Sequence, residues 1–168
     1  MKIGDTRQRI VEAARDLFWE KGYTATGLAE LLQRAGANSG SFYHFFESKD
    51  DVLRTVLETY EDLLDPHVIQ PAFDKHTAPV ERIFALLDSY RKRLLSTNCQ
   101  YGCPLGRLAL ELDPENAPAH ERIARNFTAW RGAVEKCARE AGIASPRDVA
   151  AFVLTVMEGG VMQSRAYG

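Results

Sequence analysis

The 168-residue chain carries 21 lysines and arginines against 23 aspartates and glutamates, a net charge of −2, which excludes a globally basic nucleic-acid binder and confines any such contact to a local surface. With 45% hydrophobic and 26% charged residues and no low-complexity tract, it has the composition of a folded domain rather than a disordered segment. Its apolar runs fall far short of the roughly 20 residues that cross a bilayer, and Met1-Lys2-Ile3-Gly4-Asp5 lacks a signal peptide's apolar stretch, so a cytoplasmic protein with no membrane contact is expected.

Strand signals are nearly absent, and apolar residues recur at helical spacing in segment after segment. Ile10, Ala14, Leu17 and Phe18 share one face of a first helix, which ends at Lys21-Gly22, a basic last turn followed by a glycine. Thr26 is a good N-cap for a second helix, in which Leu28, Leu31, Leu32 and Ala35 make an i, i+3, i+4, i+7 stripe before Gly36 stops it. Asn38 can cap a short third helix that carries Phe42, Phe45 and Phe46. Ser48-Lys49-Asp50-Asp51 then reads as a capping box with Asp in place of Glu. It opens a long helix bearing Leu53, Val56, Leu57, Tyr60 and Leu64 and closing at Asp65-Pro66.

From Pro66 to Pro79 three prolines predict a linker or irregular turn. Ile83, Phe84, Leu87 and Leu94 mark the next helix, which ends near Thr97-Asn98. A shorter one starts at Pro104, a residue suited to the first helical position, and ends near Asp113-Pro114. Ile123, Phe127, Trp130, Val134 and Cys137 alternate spacings of four and three, an apolar seam that closes at Gly142. The last helix follows Ser145-Pro146 and runs through Val149, Phe152, Val153, Val156 and Met157.

Little in this chain suggests an enzyme. His44, His67, His76 and His120 are scattered without a nearby Ser/Asp or metal pattern, so no catalytic residues, metal or cofactor are expected. Cys99, Cys103 and Cys137 form an odd set in a chain without an export signal, which favours reduced thiols, and Cys99-x3-Cys103 has no histidine pair to complete a zinc site.

Two short helices joined by a three- or four-residue turn containing glycine are what a DNA-reading helix-turn-helix requires, and Leu28 to Asn38 has that form. On spacing alone, a tight helical hairpin in any bundle looks the same. Residues 6–54, however, closely resemble the TetR family of bacterial regulators. The matching pieces are Thr6-Arg7, Ala13-Ala14-Arg15-Asp16-Leu17-Phe18, Lys21-Gly22-Tyr23, Thr26, Ala35-Gly36, Gly40-Ser41-Phe42-Tyr43-His44-Phe45-Phe46 and Ser48-Lys49-Asp50, in order.

That resemblance implies an all-α protein: an N-terminal three-helix DNA-binding module with its helix-turn-helix at 1–48, joined by a long helix to a C-terminal helical domain at 49–168 that binds a ligand and dimerises. It places the recognition helix at about 38–45, with Asn38, Ser39, Gly40, Ser41, Tyr43 and His44 as groove-facing candidates. Small residues allow close approach, and Tyr43 and His44 can donate to phosphates. Thr26 and Lys49 stand at N-termini of flanking helices, where free amides and the helix dipole favour phosphate. The alternative is a Tyr43 that is partly core and a His44 that is merely exposed. Ser39 stands where family members often have Lys or Arg, so specificity is not inherited, and a protein with this fold that has lost DNA recognition is the main rival. Residues 1–50 carry seven basic side chains against seven acidic ones, so few ionic contacts are expected, helped by Lys2 and Arg7 in the N-terminal arm.

For the second half the resemblance implies a small-molecule effector and a homodimer. Candidate effector contacts are Phe84, Tyr90, Phe127, Trp130 and Met157, each of which ordinary core packing also explains. Tyr101-Gly102-Cys103-Pro104-Leu105-Gly106-Arg107 puts Cys103 at a helix N-cap with Arg107 one turn on, an arrangement that lowers a thiol's pKa. It is similar to the Gly-Cys opening this helix in family members that respond to oxidants and electrophiles. Cys103 is then either a switch for a thiol-reactive effector or a packed, inert side chain. In the family the last two helices of each subunit form a four-helix bundle, which makes Val149, Phe152, Val153, Val156 and Gly160 the candidate dimer interface; members commonly continue into one more helix past the position of Gly168. The implied function is a ligand-released repressor, dimeric on palindromic double-stranded operator DNA, with the helix after Lys49 as the lever between reader and sensor.

Overall fold

The structure, a computed structural model, describes residues 3–167, with side chains from Thr6 onward; Lys2 of the expected arm lies outside them. Every regular element among the described residues is helical. In chain order these are α1 (Ile3–Glu20), α2 (Leu28–Ala35), α3 (Ser39–Phe45), α4 (Lys49–Leu64), a π-helical turn at Asp65–Ile69, α5 (Gln70–Phe73), α6 (Pro79–Ser96), α7 (Pro104–Glu111), α8 (Ala117–Glu140) and α9 (Pro146–Tyr167). No helix among these residues is long and apolar enough to cross a membrane. All three cysteines are free thiols.

The chain divides into two compact units. The first runs to Tyr60 and takes in Pro104–Ile123; the second comprises Glu61–Cys103 and the chain from Ala124. In the first, the stripes read from spacing are buried: Ile10, Ala14, Leu17 and Phe18 of α1, Leu31, Leu32 and Ala35 of α2, Phe42 of α3, and Val52, Leu53, Val56 and Leu57 of α4, with Leu108 of α7. The end of α2 is a Schellman motif. Gly36 adopts φ 58, its amide donates to Gln33 O at 3.2 Å and the Ala37 amide to Leu32 O at 3.0 Å, so the turn satisfies orphan carbonyls as it reverses the chain. Half of the expected capping box of α4 forms: Asp51 N donates to Ser48 Oγ at 3.2 Å, while the Asp51 carboxylate accepts not from Ser48 but from Glu47 N, one residue earlier, at 3.2 Å.

Two local expectations are corrected. The N-cap of α2 is Gly27, which makes no side-chain cap bond, because the buried Thr26 hydroxyl turns back and donates to Gly22 O at 2.6 Å. The Pro66–Pro79 stretch is mostly helical rather than an irregular linker. Pro66, Pro71 and Pro79 each occupy one of the first two positions of the π-turn, α5 and α6, where the absent N–H and fixed φ cost nothing. Ile69 and Ala72 of this stretch are buried in the second unit's core with Ile83, Leu86, Trp130, Val134, Cys137, Ala150 and Met157. Phe84 lies outside it, 66% exposed.

Candidate functional site

The geometry of α3 follows from its three phenylalanines. Phe42 and Phe46 are buried, with ring centroids 5.7 Å apart, and anchor the helix from beneath; Phe45 is partly buried. Asn38 caps the helix, its Oδ1 accepting from Ser41 N at 2.8 Å. What remains outward is polar or small: Asn38, Ser39, Gly40 and His44 are exposed, Ser41 is half-buried, and Tyr43 is 61% exposed with its ring edge-to-face on Phe42. A Cβ on Gly40 would meet only Asn38 Oδ1, at an ordinary 3.4 Å, so nothing inside the protein requires glycine there. Arg7 is exposed and sits over the Phe46 ring at 5.3 Å, which brings a cation from α1 to the end of α3.

Two of the eight candidates do not offer their side chains. Thr26 is fully buried with its hydroxyl committed to Gly22 O. Lys49 turns inward: its Nζ donates to Tyr23 O and to Thr26 O, each at 3.0 Å, and lies 4.1 Å from the Tyr23 ring centroid. Burial holds its ammonium below the usual lysine range. Lys49 thus pins the loop before α2 to the start of α4, and Tyr23 reaches the same place from the other side by donating to Asp50.

A second anchor comes from α7. Arg107 donates to Trp19 O at 3.4 Å and Glu20 O at 3.2 Å, capping the last carbonyls of α1, and pairs with Glu111 at 2.6 Å. Glu111 in turn accepts from Thr24 N at 3.4 Å, and a Cβ on Gly22, whose φ is +95, would collide with its carboxylate. Arg107 therefore belongs to the first unit's framework, with its Nε and Nη1 engaged there.

In the second unit, Trp130 and Met157 are buried, while Tyr90 and Phe127 are half-buried. Tyr90 packs edge-to-face on Trp130 at 6.1 Å. Phe84 is on the surface, away from these groups, because α6 presents Ile83 and Leu86 to the core instead. Cys103 immediately precedes α7 and is 9% exposed. Glu158 of α9, absent from the sequence-derived candidates, accepts a hydrogen bond from the Cys103 thiol. Its signal was available: between Val149 and Met162 it is the sole charged residue. On α9, Phe152 and Val156 are 68% and 55% exposed; Gly160 is exposed, and Val149 and Val153 are half-buried.

A short helix anchored by buried aromatics, presenting a small polar face, and set off from α2 by a three-residue glycine turn defines a DNA-binding transcriptional regulator of the helix-turn-helix class. The family model described as "Bacterial regulatory proteins, tetR family" matches residues 10–56, and that described as "Transcriptional regulator LmrA/YxaF-like, C-terminal domain" matches residues 79–168. The chain is 31% identical over 163 residues to the uncharacterised HTH-type transcriptional regulator YxaF of Bacillus subtilis, covering 96% of this chain and 85% of YxaF. This chain belongs to the TetR family of bacterial transcriptional regulators. Solved structures share its fold. The reduced form of Escherichia coli NemR matches with a TM-score of 0.80 and 22% identity over 96% of this chain and 87% of that one. A cysteine mutant of the TetR-family regulator CifR, complexed with 26-bp double-strand operator DNA, matches with 0.79 and 21% over 95% and 86%.

Proposed function

We propose that this regulator is a ligand-released repressor that binds a palindromic operator as a homodimer. The observation that carries the reading is α3 itself, fastened by Phe42 and Phe46 while Asn38, Ser39, Gly40, Tyr43 and His44 stand outward. NemR of Escherichia coli, to which the chain is 30% identical over 135 residues, is named a transcriptional repressor, and a CifR cysteine mutant has been solved on operator DNA. In the mechanism the two recognition helices of the dimer sit about one DNA turn apart, roughly 34–36 Å, and an effector that favours a different spacing releases the operator. The lever is α4, which begins in the first unit and ends in the second.

The exposed Phe152 and Val156 support α9 as the subunit interface, together with Val149, Val153 and Gly160. Tyr90, Cys103, Phe127, Trp130 and Met157 are the effector contacts, and the effector is a thiol-reactive electrophile or oxidant. A gel shift with the DNA upstream of the protein's own gene tests the central claim. Wild type is expected to retard it and Tyr43→Ala to lose most of the shift; equal binding by both proteins removes α3 as the reader.

A further inference from the structure

The segment 21–27 between α1 and α2 has little regular structure of its own, yet it decides where α2 and α3 stand relative to α1. Inside the segment, Thr26 N donates to Tyr23 O at 3.2 Å and the Thr26 hydroxyl to Gly22 O at 2.6 Å. Side chains from two other helices then hold its backbone. From α4, Lys49 donates to the Tyr23 and Thr26 carbonyls at 3.0 Å, and Asp50 accepts from the Tyr23 hydroxyl. From α7, Glu111 accepts from Thr24 N at 3.4 Å, while Arg107 donates to the Trp19 and Glu20 carbonyls that lead into the segment.

The α7 side of this grip depends on Gly22 twice over. Its φ of +95 is one that L side chains rarely adopt, and the Glu111 carboxylate occupies the space its Cβ would need. The carboxylate therefore lies directly on the backbone, aimed there by the Arg107 Nε at 2.6 Å. The bonds it and Arg107 make to the backbone, at 3.2–3.4 Å, are long ones, so each adds little to the stability of the fold. The two sides are also separate. Asp50 and Arg54 of α4 share with Glu111, Asp113, Tyr23 and Thr24 the lining of a cleft of about 520 Å³, so open space lies where the two arms reach the turn and one arm does not replace the other.

We infer that Arg107 and Glu111 are positioning residues for DNA binding: α7 is a second arm beside α4, and the two together fix the α1–α2 turn from which the reader hangs. Neither residue touches DNA in this role. They act through the backbone of the turn, because a turn that samples other conformations must be ordered when the operator is bound, and that ordering is subtracted from affinity. Both arms are continuous in the chain with the second unit, α4 passing into it after Tyr60 and α7 emerging from it at Cys103-Pro104. A change in the second unit thus has two covalent routes to one turn. That last step rests on the reading of the second unit as a sensor; the dependence of affinity on the α7 grip does not.

The test compares Glu111→Ala and Glu111→Gln with wild type, in the full chain, by gel shift on the DNA upstream of the protein's own gene. Both variants remove one negative charge, which by itself favours binding to DNA, so a loss of affinity is not electrostatic. Only Gln keeps an acceptor for Thr24 N and Arg107. Glu111→Ala is expected to weaken binding by about fivefold or more, and Glu111→Gln to recover most of that loss. The melting temperature of Glu111→Ala should fall by no more than about 4 °C. Hydrogen exchange supplies a second readout that needs no DNA: peptides covering 21–27 should exchange faster in Glu111→Ala, with those from α9 unchanged. Affinity in Glu111→Ala equal to or above wild type, or a Gln variant as weak as the Ala variant, overturns the positioning role. So does unchanged exchange in the turn, or faster exchange throughout the chain. If wild type itself leaves that DNA unshifted, the choice of operator fails, and the exchange result alone decides whether α7 holds the turn.

Discussion

At Gly40 two demands on α3 pull in opposite directions. A helix gains from alanine in place of glycine, by up to about 1 kcal/mol, and the space around Gly40 admits a methyl group. If α3 lies in a groove, the same methyl obstructs DNA. Gly40→Ala is expected to melt no lower than wild type in thermal denaturation and yet to bind operator DNA more weakly in the gel shift; undiminished affinity places Gly40 outside the interface. Lys49 gives the converse case. Its ammonium satisfies the Tyr23 and Thr26 carbonyls, so Lys49→Met should cost about 1–3 kcal/mol in urea denaturation. The salt dependence of DNA binding should not change, because no phosphate contact is lost. The family resemblance identified Lys49 as important, but only the fold shows which way it points. Nothing in the spacing of Ser48-Lys49-Asp50 says that the loop carbonyls before α2 come within reach.

Among the elements, α9 shows a division between faces that periodicity alone left open. Ala150, Met157 and Val161 are buried while Phe152, Val156 and Met162 are exposed, so the helix carries two apolar stripes and one core does not cover both. The double variant Phe152→Glu, Val156→Glu should therefore remain folded by circular dichroism and shift from dimer to monomer in sedimentation equilibrium. Loss of fold would show that these side chains belong to the core instead. The helices themselves were largely legible, because caps, glycines and 3.6-residue stripes are local. The Pro66–Pro79 stretch was misread for an equally local reason. Three prolines in fourteen residues suggest a break, yet a proline at a helix's first turn is compatible with helix, and only the burial of Ile69 and Ala72 shows that these turns are packed in the core.

For the whole molecule, charge is the quantity to measure. The net charge is −2, Lys49 is turned inward and the exposed face of α3 carries no lysine or arginine, so few ionic contacts to DNA are expected, with Arg7 among them. The slope of log affinity against log salt should therefore correspond to fewer than ten phosphates for the dimer, using about 0.9 per phosphate; ten or more would mean that a basic surface carries binding after all. The sequence by itself determined that the chain is helical and where most of its helices begin and end, because those properties live in neighbours a few positions apart, while the family resemblance of residues 6–54, and not spacing, pointed to a DNA reader. Only the tertiary structure decided that α7 serves the first unit through Arg107 and Glu111, that Phe84 faces out, and that Glu158 meets Cys103. Each of those depends on which faces of distant helices are buried together, a choice made by packing across the whole unit rather than by any local pattern.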